Sequence, residues 1–268
     1  HGAFASRQLK RGDLILSEKP ILSLDSEVTG RVDIETMNLS PRIRELFISL
    51  HNSHSACSCY PNSLLQGIFH TNSIPTGDKT TGIFLDASRF NHACSPNAKL
   101  SFNAKTGELR IYTLCPISAG EEIFISYISG RQLYGMPQKY RQKYLGTRYH
   151  FACACYVCSL PKAESMTSDA RRVGLNQLWE VIPRFTPKQE TQHLSAIVDG
   201  LRIFSEERLL ADTDDFLNDA ASLCAYHSDW VSAKYWANLA YRTIVEEFGV
   251  DSIKAEEARG TYEDPTLL

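Results

Sequence analysis

Three cysteines near position 155 constrain this chain more than any other feature. Cys153, Cys155 and Cys158 place three thiols within six residues of one another. A structural zinc site is closed by four ligands, with Zn–S distances of about 2.3 Å, so this run lacks one ligand. The alternative is that the three are unrelated buried thiols, but their spacing in a reduced protein favours a metal. The sequence therefore predicts a metal site whose fourth ligand lies elsewhere in the chain.

Two further motifs lie upstream of these cysteines. Residues 91–97 read N-H-A-C-S-P-N, and residues 120–127 read G-E-E-I-F-I-S-Y. Each pattern alone is short and recurs by accident, but the three in this order indicate one functional region at residues 86–158. Cys94, inside the dense polar motif, is the best candidate for the missing metal ligand.

These motifs resemble those of the SET-domain protein lysine methyltransferases, specifically the SET-and-MYND branch and its fungal relatives. That family carries N-H-x-C-x-P-N, then G-E-E/D-x-x-x-S-Y, then a post-SET C-x-C-x-x-C, and this chain matches all three over about residues 1–160. The resemblance implies an S-adenosylmethionine-dependent protein-lysine N-methyltransferase, acting on a lysine of a histone or of another protein. It also implies one structural zinc ion bound by Cys94, Cys153, Cys155 and Cys158.

The resemblance further implies which residues contact the cofactor. Asn91 and His92 suit this task, because an amide and a neutral imidazole each offer a hydrogen-bond donor and an acceptor. Without the family, Gly2 would be read as an ordinary turn glycine and Asn91-His92 as a structural turn. The full set of cofactor-binding residues that we expect is His1, Gly2, Asn72, Ser88, Asn91, His92, Tyr127 and Phe151.

Tyr127 is the catalytic residue that the resemblance implies, and Ile74, Tyr127 and Tyr149 are expected to line the channel for the substrate lysine. The Tyr127 hydroxyl can orient an incoming amine, but an ordinary tyrosine pKa of about 10 makes it a poor general base. Ile74 stands where the family has an aromatic residue, and core packing is its alternative role. Without the family, Tyr149 and Phe151 would be read as aromatic packing around the metal site.

Composition and charge limit the remaining classes of protein. Hydrophobic residues make up 43% of the chain and charged residues 22%, which is typical of a soluble globular protein. No apolar run reaches the length of a membrane span, and no basic cluster indicates direct binding of nucleic acid. The N-terminus shows no signal peptide, so we expect the eight cysteines to be thiols in the nucleus and/or the cytoplasm. We expect a monomer.

The net charge of −3 is divided unevenly along the chain. Residues 1–169 carry a net charge of +4, and residues 170–268 carry −7. Such asymmetry indicates two regions with different surfaces. The acidic C-terminal region could attract a basic substrate, or its charges could form a solvated helical surface.

The expected fold class is α+β. It comprises a β-rich SET domain at residues 1–130 with a helical insert at about 33–65, a post-SET zinc segment at 131–160 and an all-helical region at 161–268. Residues 33–52 look helical, and Ser40-Pro41 is a helix start with an N-cap and a first-turn proline. Residues 98–102 and 108–114 alternate as the strands of a hairpin.

Helical periodicity dominates residues 170–250. Phe216 to Cys224 form one apolar stripe and Trp230 to Phe248 form the next, closed by Gly249. Two such helices around a short turn resemble a tetratricopeptide (TPR) unit. A peptide-binding groove and a capping helical bundle both fit this pattern.

The helical insert is where relatives often carry a zinc-binding MYND finger. Only His51, His54, Cys57 and Cys59 cluster there, and the C-S-C spacing is too tight for a zinc knuckle, so the sequence predicts no such finger. This absence leaves a second class of function open, a catalytically silent SET-fold module that binds a partner protein. The complete motifs at residues 91–97 and 120–127 argue against that alternative.

Overall fold

The computed structural model describes residues 2–25, 29–55, 63–128 and 134–268. Three positions named above, His1, Cys57 and Cys59, lie outside these residues. The strands are β1 (Ala3–Phe4), β2 (Leu14–Glu18), β3 (Leu22–Asp25), β4 (Ile74–Pro75), β5 (Thr80–Ile83), β6 (Asn91–His92), β7 (Ala98–Asn103), β8 (Glu108–Thr113) and β9 (Glu122–Ile125). The α-helices are α1 (Val32–Met37), α2 (Pro41–Ile48), α3 (Leu64–Asn72), α4 (Gln138–Tyr149), α5 (Lys162–Val181), α6 (Glu190–Glu206), α7 (Asp214–Tyr226), α8 (Trp230–Phe248) and α9 (Ile253–Glu263).

The described strands form three small sheets, with orders β1-β9-β6, β2-β8-β7 and β3-β5-β4. In the first sheet β9 is antiparallel to β1 and parallel to β6. The parallel register places Asn91 opposite Phe124 and His92 opposite Ile125. This pairing brings the motif at residues 91–97 beside the motif at 120–127, although more than twenty residues separate them in the chain.

The predicted hairpin and helix start are both present. Strands β7 and β8 pair in antiparallel register, and Gly107 in the loop between them has a φ of +68°, which favours glycine. Ser40 caps α2 by accepting a hydrogen bond from the backbone N–H of Ile43 at 3.4 Å.

The helical insert begins as predicted and extends further along the chain. Residues 33–52 contain the two helices α1 and α2, and α2 starts at Ser40-Pro41, because the residue before a proline is kept out of helical geometry. Helix α3 continues the helical segment to Asn72, beyond the position near residue 65 at which we placed the end of the insert. These helices enclose Phe47, which is fully buried against β3 and β5 with Leu22 and Ile83.

The C-terminal region is helical, as expected. Helices α7 and α8 form a hairpin whose buried stripe includes Phe216, Ala220 and Ala233, and Gly249 ends α8 with a φ of +86°. Trp230 departs from the prediction: it is 45% exposed, because it opens α8 at the turn and lies outside the buried stripe. No helix of the described residues has the length and apolar composition needed to cross a membrane.

Several contacts join the helical region to the rest of the molecule, among them the pairs of Arg11 with Glu246 and of Arg110 with Asp251. Lys99 on β7 forms ion pairs with Asp212 and with the fully buried Glu247 on α8, the latter at 2.6 Å. Cys94 and Cys153 belong to a hydrophobic cluster that also contains Trp179, Phe204 and Phe216 of the C-terminal helices. The packing around the cysteines is therefore completed by α5, α6 and α7.

Candidate cofactor and metal site

Tyr127 lies directly after β9, where two hydrogen bonds fix it. Its backbone N–H donates to Nδ1 of His92 at 3.0 Å, and its hydroxyl donates to the carbonyl oxygen of Phe90 at 2.7 Å. The centre of its ring lies 5.4 Å from that of His92, 5.0 Å from that of Tyr149 and 6.3 Å from that of Phe151. The structure thus brings together four of the residues that the sequence analysis assigned to the site.

Two of these aromatic rings, those of Tyr149 and Phe151, lie at the C-terminal end of α4. His150 ends the helix in the left-handed region, with a φ of 55°, so the chain reverses between Tyr149 and Phe151. The Tyr149 hydroxyl donates to the carbonyl oxygen of Tyr127 at 3.4 Å. Nε2 of His150 lies 3.1 Å from Nδ1 of His54, which ties this turn to the helical insert.

Burial sets the protonation of the two central residues. Nδ1 of His92 accepts a hydrogen bond, so the proton of the neutral ring is on Nε2, 3.4 Å from the Cys94 sulfur. Burial lowers the pKa of His92 to about 4, helped by Arg141 and opposed by Cys155. Burial raises the pKa of Tyr127 to about 12, with further contributions from Tyr149 and Glu122. At neutral pH the imidazole is therefore uncharged and the phenol is protonated.

Gly2, Asn91 and Glu122 meet where β1, β9 and β6 lie side by side. The Asn91 side-chain NH₂ donates to Oε1 of Glu122 at 2.7 Å. A side chain on Gly2 would overlap the Glu122 carboxylate and would place its Cβ 2.9 Å from Nδ2 of Asn91. Only glycine fits this close approach without displacing the pair. The sequence analysis quoted Glu122 within its motif and gave it no role.

A cavity of about 820 Å³ opens on the other side of Glu122. Phe124, Ala93 and Cys155 also line it, but most of its wall comes from residues 154–171 and 206–210. None of the predicted cofactor-binding residues lines this cavity, so it does not mark the predicted cofactor site.

The other predicted cofactor and channel residues have local partners. The Asn72 side-chain NH₂ donates to the carbonyl oxygens of His51 and Ile68, each at 2.7 Å. The Ser88 hydroxyl donates to the carbonyl oxygen of Phe84 at 2.5 Å. Ile74 is half-buried and packs against the same hydrophobic cluster as Tyr127. These contacts hold α3, β4 and the turn before β6 in place, and the predicted ligand contacts stay predictions.

The four predicted metal ligands converge. The sulfur atoms of Cys94, Cys153, Cys155 and Cys158 all lie within 4.8 Å of one another, and those of Cys94 and Cys158 are 3.6 Å apart. A tetrahedron of thiolates around zinc at about 2.3 Å has sulfur–sulfur distances of about 3.8 Å. The backbone N–H of Cys94 also donates to the Cys155 sulfur at 3.4 Å. The spacing and the soft sulfur donors therefore fit a zinc ion.

Helix α4 and helix α5 supply polar residues around this cluster that the sequence analysis missed. Gln142 makes two hydrogen bonds to the backbone of Cys153, and Gln138 makes one to the backbone of Cys158. Arg141 and Arg172 have no exposed surface. A signal was available, because positions 138, 141, 142 and 145 share one face of a helix.

Known proteins are similar to this chain over part or nearly all of its length. The family model described as the SET domain matches residues 1–128. The histone-lysine N-methyltransferase set5 of Schizosaccharomyces pombe is 28% identical, with a match covering 98% of this chain and 81% of that protein. The protein-lysine N-trimethyltransferase SMYD5 of Danio rerio is 39% identical over 31% of this chain and 21% of that protein. The human protein-lysine N-methyltransferase SMYD4 is 29% identical over 48% of this chain and 15% of that protein.

Residues 1–128 form a SET domain. The chain is similar to lysine methyltransferases of the Set5 and SMYD type. The matched segment spans most of the fission yeast relative and about a fifth or less of the two SMYD proteins.

Proposed function

We propose that this chain transfers a methyl group from S-adenosylmethionine to the side-chain amine of a lysine in a protein substrate. One observation carries the proposal: the Tyr127 ring lies within 5.0–6.3 Å of the rings of Tyr149, His92 and Phe151, beside the Asn91–Glu122 pair. The rings of such a cluster can pack on a flat adenine and line a short channel for an aliphatic side chain. The polar pair beside them can hydrogen-bond to the cofactor. The lysine methyltransferase names of the relatives support the same reaction.

Cofactor binding is assigned to residues on both sides of the cluster. When bound, S-adenosylmethionine supplies a methyl group that its sulfonium already activates, so the chain needs no nucleophile of its own. Gly2 provides the close backbone approach, and Asn91 is held beside it by the hydrogen bond from its side-chain nitrogen to Glu122. Phe151 offers a ring face, and His92 offers its backbone. Asn72, Ser88 and His1 are proposed as further contacts.

Tyr127 is assigned to the amine, with Ile74 and Tyr149 as walls of the channel. The raised pKa keeps the phenol protonated, so it orients the amine and does not remove its proton. The lysine must lose its proton to solvent before transfer, since its ordinary pKa is about 10.4. Holding the neutral amine in line with the methyl group is then the main contribution of the site.

A zinc ion bound by Cys94, Cys153, Cys155 and Cys158 is proposed to be structural. Four thiolates leave no open coordination position, so the ion cannot activate water. It would instead hold the chain after α4, and with it Tyr149 and Phe151, against Tyr127. Removing the metal should therefore abolish activity by disordering this segment.

We also propose a class of substrate and a cellular compartment. A histone is one candidate, since the fission yeast relative is named a histone-lysine methyltransferase. The TPR-like hairpin of α7 and α8, in the acidic C-terminal region, would attract a basic substrate segment. The described cysteines are unpaired thiols, which supports action in the nucleus or cytoplasm. Direct binding of nucleic acid is not part of the proposal, and the protein is proposed to act as a monomer.

Isothermal titration of the zinc-loaded protein with S-adenosylmethionine tests this function first. Saturable one-to-one binding that is lost in Asn91→Ala supports an enzyme, and a screen of basic proteins with labelled cofactor then identifies the substrate. Ser118→Ala, which alters an exposed turn, is the matched control. A folded, zinc-loaded protein that binds no cofactor would favour the catalytically silent module.

A further inference from the structure

Side chains on one face of α4 form hydrogen bonds with the backbone of the segment that contains Cys153 and Cys158. The Gln138 side chain donates to the carbonyl oxygen of Cys158 at 2.6 Å. Gln142 donates to the carbonyl oxygen of Cys153 at 2.7 Å and accepts from its backbone N–H at 2.9 Å. Arg141 lies on the same face, between the two glutamines in sequence, and has no exposed surface. The guanidinium is therefore enclosed by the same packing that holds the metal ligands.

The hydrogen bonds of Arg141 do not account for its burial. Nη1 donates to the carbonyl oxygen of Met136 and lies 3.7 Å from the Asp169 carboxylate. Nε and Nη2 are buried and make no well-aligned hydrogen bond within the part of the chain that the structure describes. Leaving such donors unpaired costs about 1–3 kcal/mol or more for a charged group. A negative group beside the guanidinium would remove much of this cost.

The cysteine sulfurs supply that negative group. The Arg141 guanidinium interacts with the side chains of Cys94 and Cys158. Four thiolates around Zn²⁺ carry a net charge of about −2, which is costly to bury without a counter-charge. The positive charge of the guanidinium and the negative charge of the thiolate cluster therefore offset each other in the buried site.

The second buried guanidinium near the cluster has a closer carboxylate partner. Nε of Arg172 lies 3.0 Å from Glu207, and its Nη2 donates to the Ser95 hydroxyl at 3.0 Å and to the carbonyl oxygen of Cys94 at 3.4 Å. Among the described carboxylates, Arg141 has the longer contact with Asp169, whose side chain is partly exposed. Of these two arginines, Arg141 depends more on the cysteine sulfurs to balance its charge.

We propose that Arg141 is the counter-ion of the zinc–thiolate cluster and sets how tightly the chain holds its metal. This inference rests on the proposed zinc site and goes beyond it by assigning a residue outside the ligand set. Arg141 stabilises the fully deprotonated form of the four cysteines, which is the form that binds zinc. It is a positioning and charge-balancing residue, since it does not contact the metal.

The test compares zinc affinities of purified full-length variants by competition with a chromophoric chelator. Arg141→Met removes the charge and keeps much of the volume, and we expect it to weaken zinc binding about 10–100-fold, as is usual for outer-shell partners of a metal site. Arg141→Lys keeps the charge and should lose less. Lys105→Met removes a cation that pairs with the exposed Glu256, and it should bind zinc like the wild type. Circular dichroism checks folding of each variant.

Each outcome decides between the two proposals. A folded Arg141→Met that binds zinc like the wild type overturns the role of Arg141 and leaves the zinc site intact. A wild-type protein that binds no zinc overturns the site itself. Should the methionine variant fail to fold, Arg141→Gln, which keeps hydrogen-bond donors without charge, gives the same comparison. Titration with Co²⁺ gives a second affinity, and its thiolate-to-cobalt absorption reports whether all four sulfurs still bind.

Discussion

The backbone N–H of Tyr127 donates to Nδ1 of His92 at 3.0 Å, and this bond joins the two motifs on which the site is built. It occupies the ring nitrogen that faces β9 and leaves the proton of the imidazole on Nε2, toward Cys94. Tyr127 and the cysteine cluster are therefore connected through a single histidine. Their relative position depends on that ring staying neutral, and burial lowers its pKa to about 4, which keeps it neutral at pH 7.

Tyr127→Phe should separate binding from chemistry. The substitution removes the hydroxyl that donates to the carbonyl oxygen of Phe90 and retains the ring that packs on Tyr149. We expect cofactor affinity close to the wild type and turnover lower by about 10²–10³, the usual loss for a group that acts in the transition state. Titration calorimetry and steady-state kinetics measure the two effects. Unchanged turnover would remove Tyr127 from its assigned role.

The pH dependence of turnover should show no ionisation of Tyr127 in the accessible range. A raised pKa keeps a group protonated to higher pH, so a phenol with a pKa of about 12 stays protonated where a free tyrosine, with a pKa of about 10, would not. We expect kcat to rise from pH 7 to pH 10 as the substrate lysine loses its proton. A fall with an apparent pKa near 10 that disappears in Tyr127→Phe would contradict this expectation.

Gly2→Ala should weaken cofactor binding without unfolding the protein. The new methyl group would displace the Glu122 carboxylate and break its hydrogen bond to Asn91. Loss of one such bond costs about 1–1.5 kcal/mol, which corresponds to about a tenfold weaker affinity. Titration calorimetry measures it, and Gly30→Ala, where nothing lies within 4 Å of the added atom, is the control. Equal affinities in the two variants would show that the close approach at Gly2 is irrelevant to the cofactor.

Local patterns predicted the parts of the site that lie close together in sequence. The C-x-C-x-x-C run and the helix start at Ser40-Pro41 could be interpreted without the fold. The same proline marks the boundary between α1 and α2, because it cannot continue a preceding helix and suits the first position of the next one. Periodicity likewise placed Trp230 in a buried stripe, although the first residue of a helix can lie beyond its partner.

Contacts between distant segments could not be predicted in this way. Lys99 and Glu247 are 148 residues apart, and nothing in either neighbourhood indicates the other. The pairing of Asn91 with Glu122 depends on the parallel register of β6 and β9, which no local pattern specifies. Arg141 illustrates a third case: its position on one face of α4 could be read from the sequence, but a charged residue in a polar helix is normally exposed, so its burial could not be predicted.

Lys99→Met should destabilise the protein more than any surface charge change. Lys99 is buried between Asp212 and Glu247, and Glu247 has no exposed surface, so removing the lysine leaves a buried carboxylate without its partner. Breaking a buried pair in this way costs about 3–5 kcal/mol. Lys105→Met is the matched control, because Lys105 pairs with the exposed Glu256 and such pairs contribute about 0–1 kcal/mol. Urea unfolding followed by circular dichroism measures both free energies. Similar decreases in the free energy of unfolding of the two variants would mean that the Lys99 ion pairs do not stabilise the packing of the helical region on the SET domain. A large decrease confined to Lys99→Met would show that the pair with Glu247 stabilises the contact of α8 with β7.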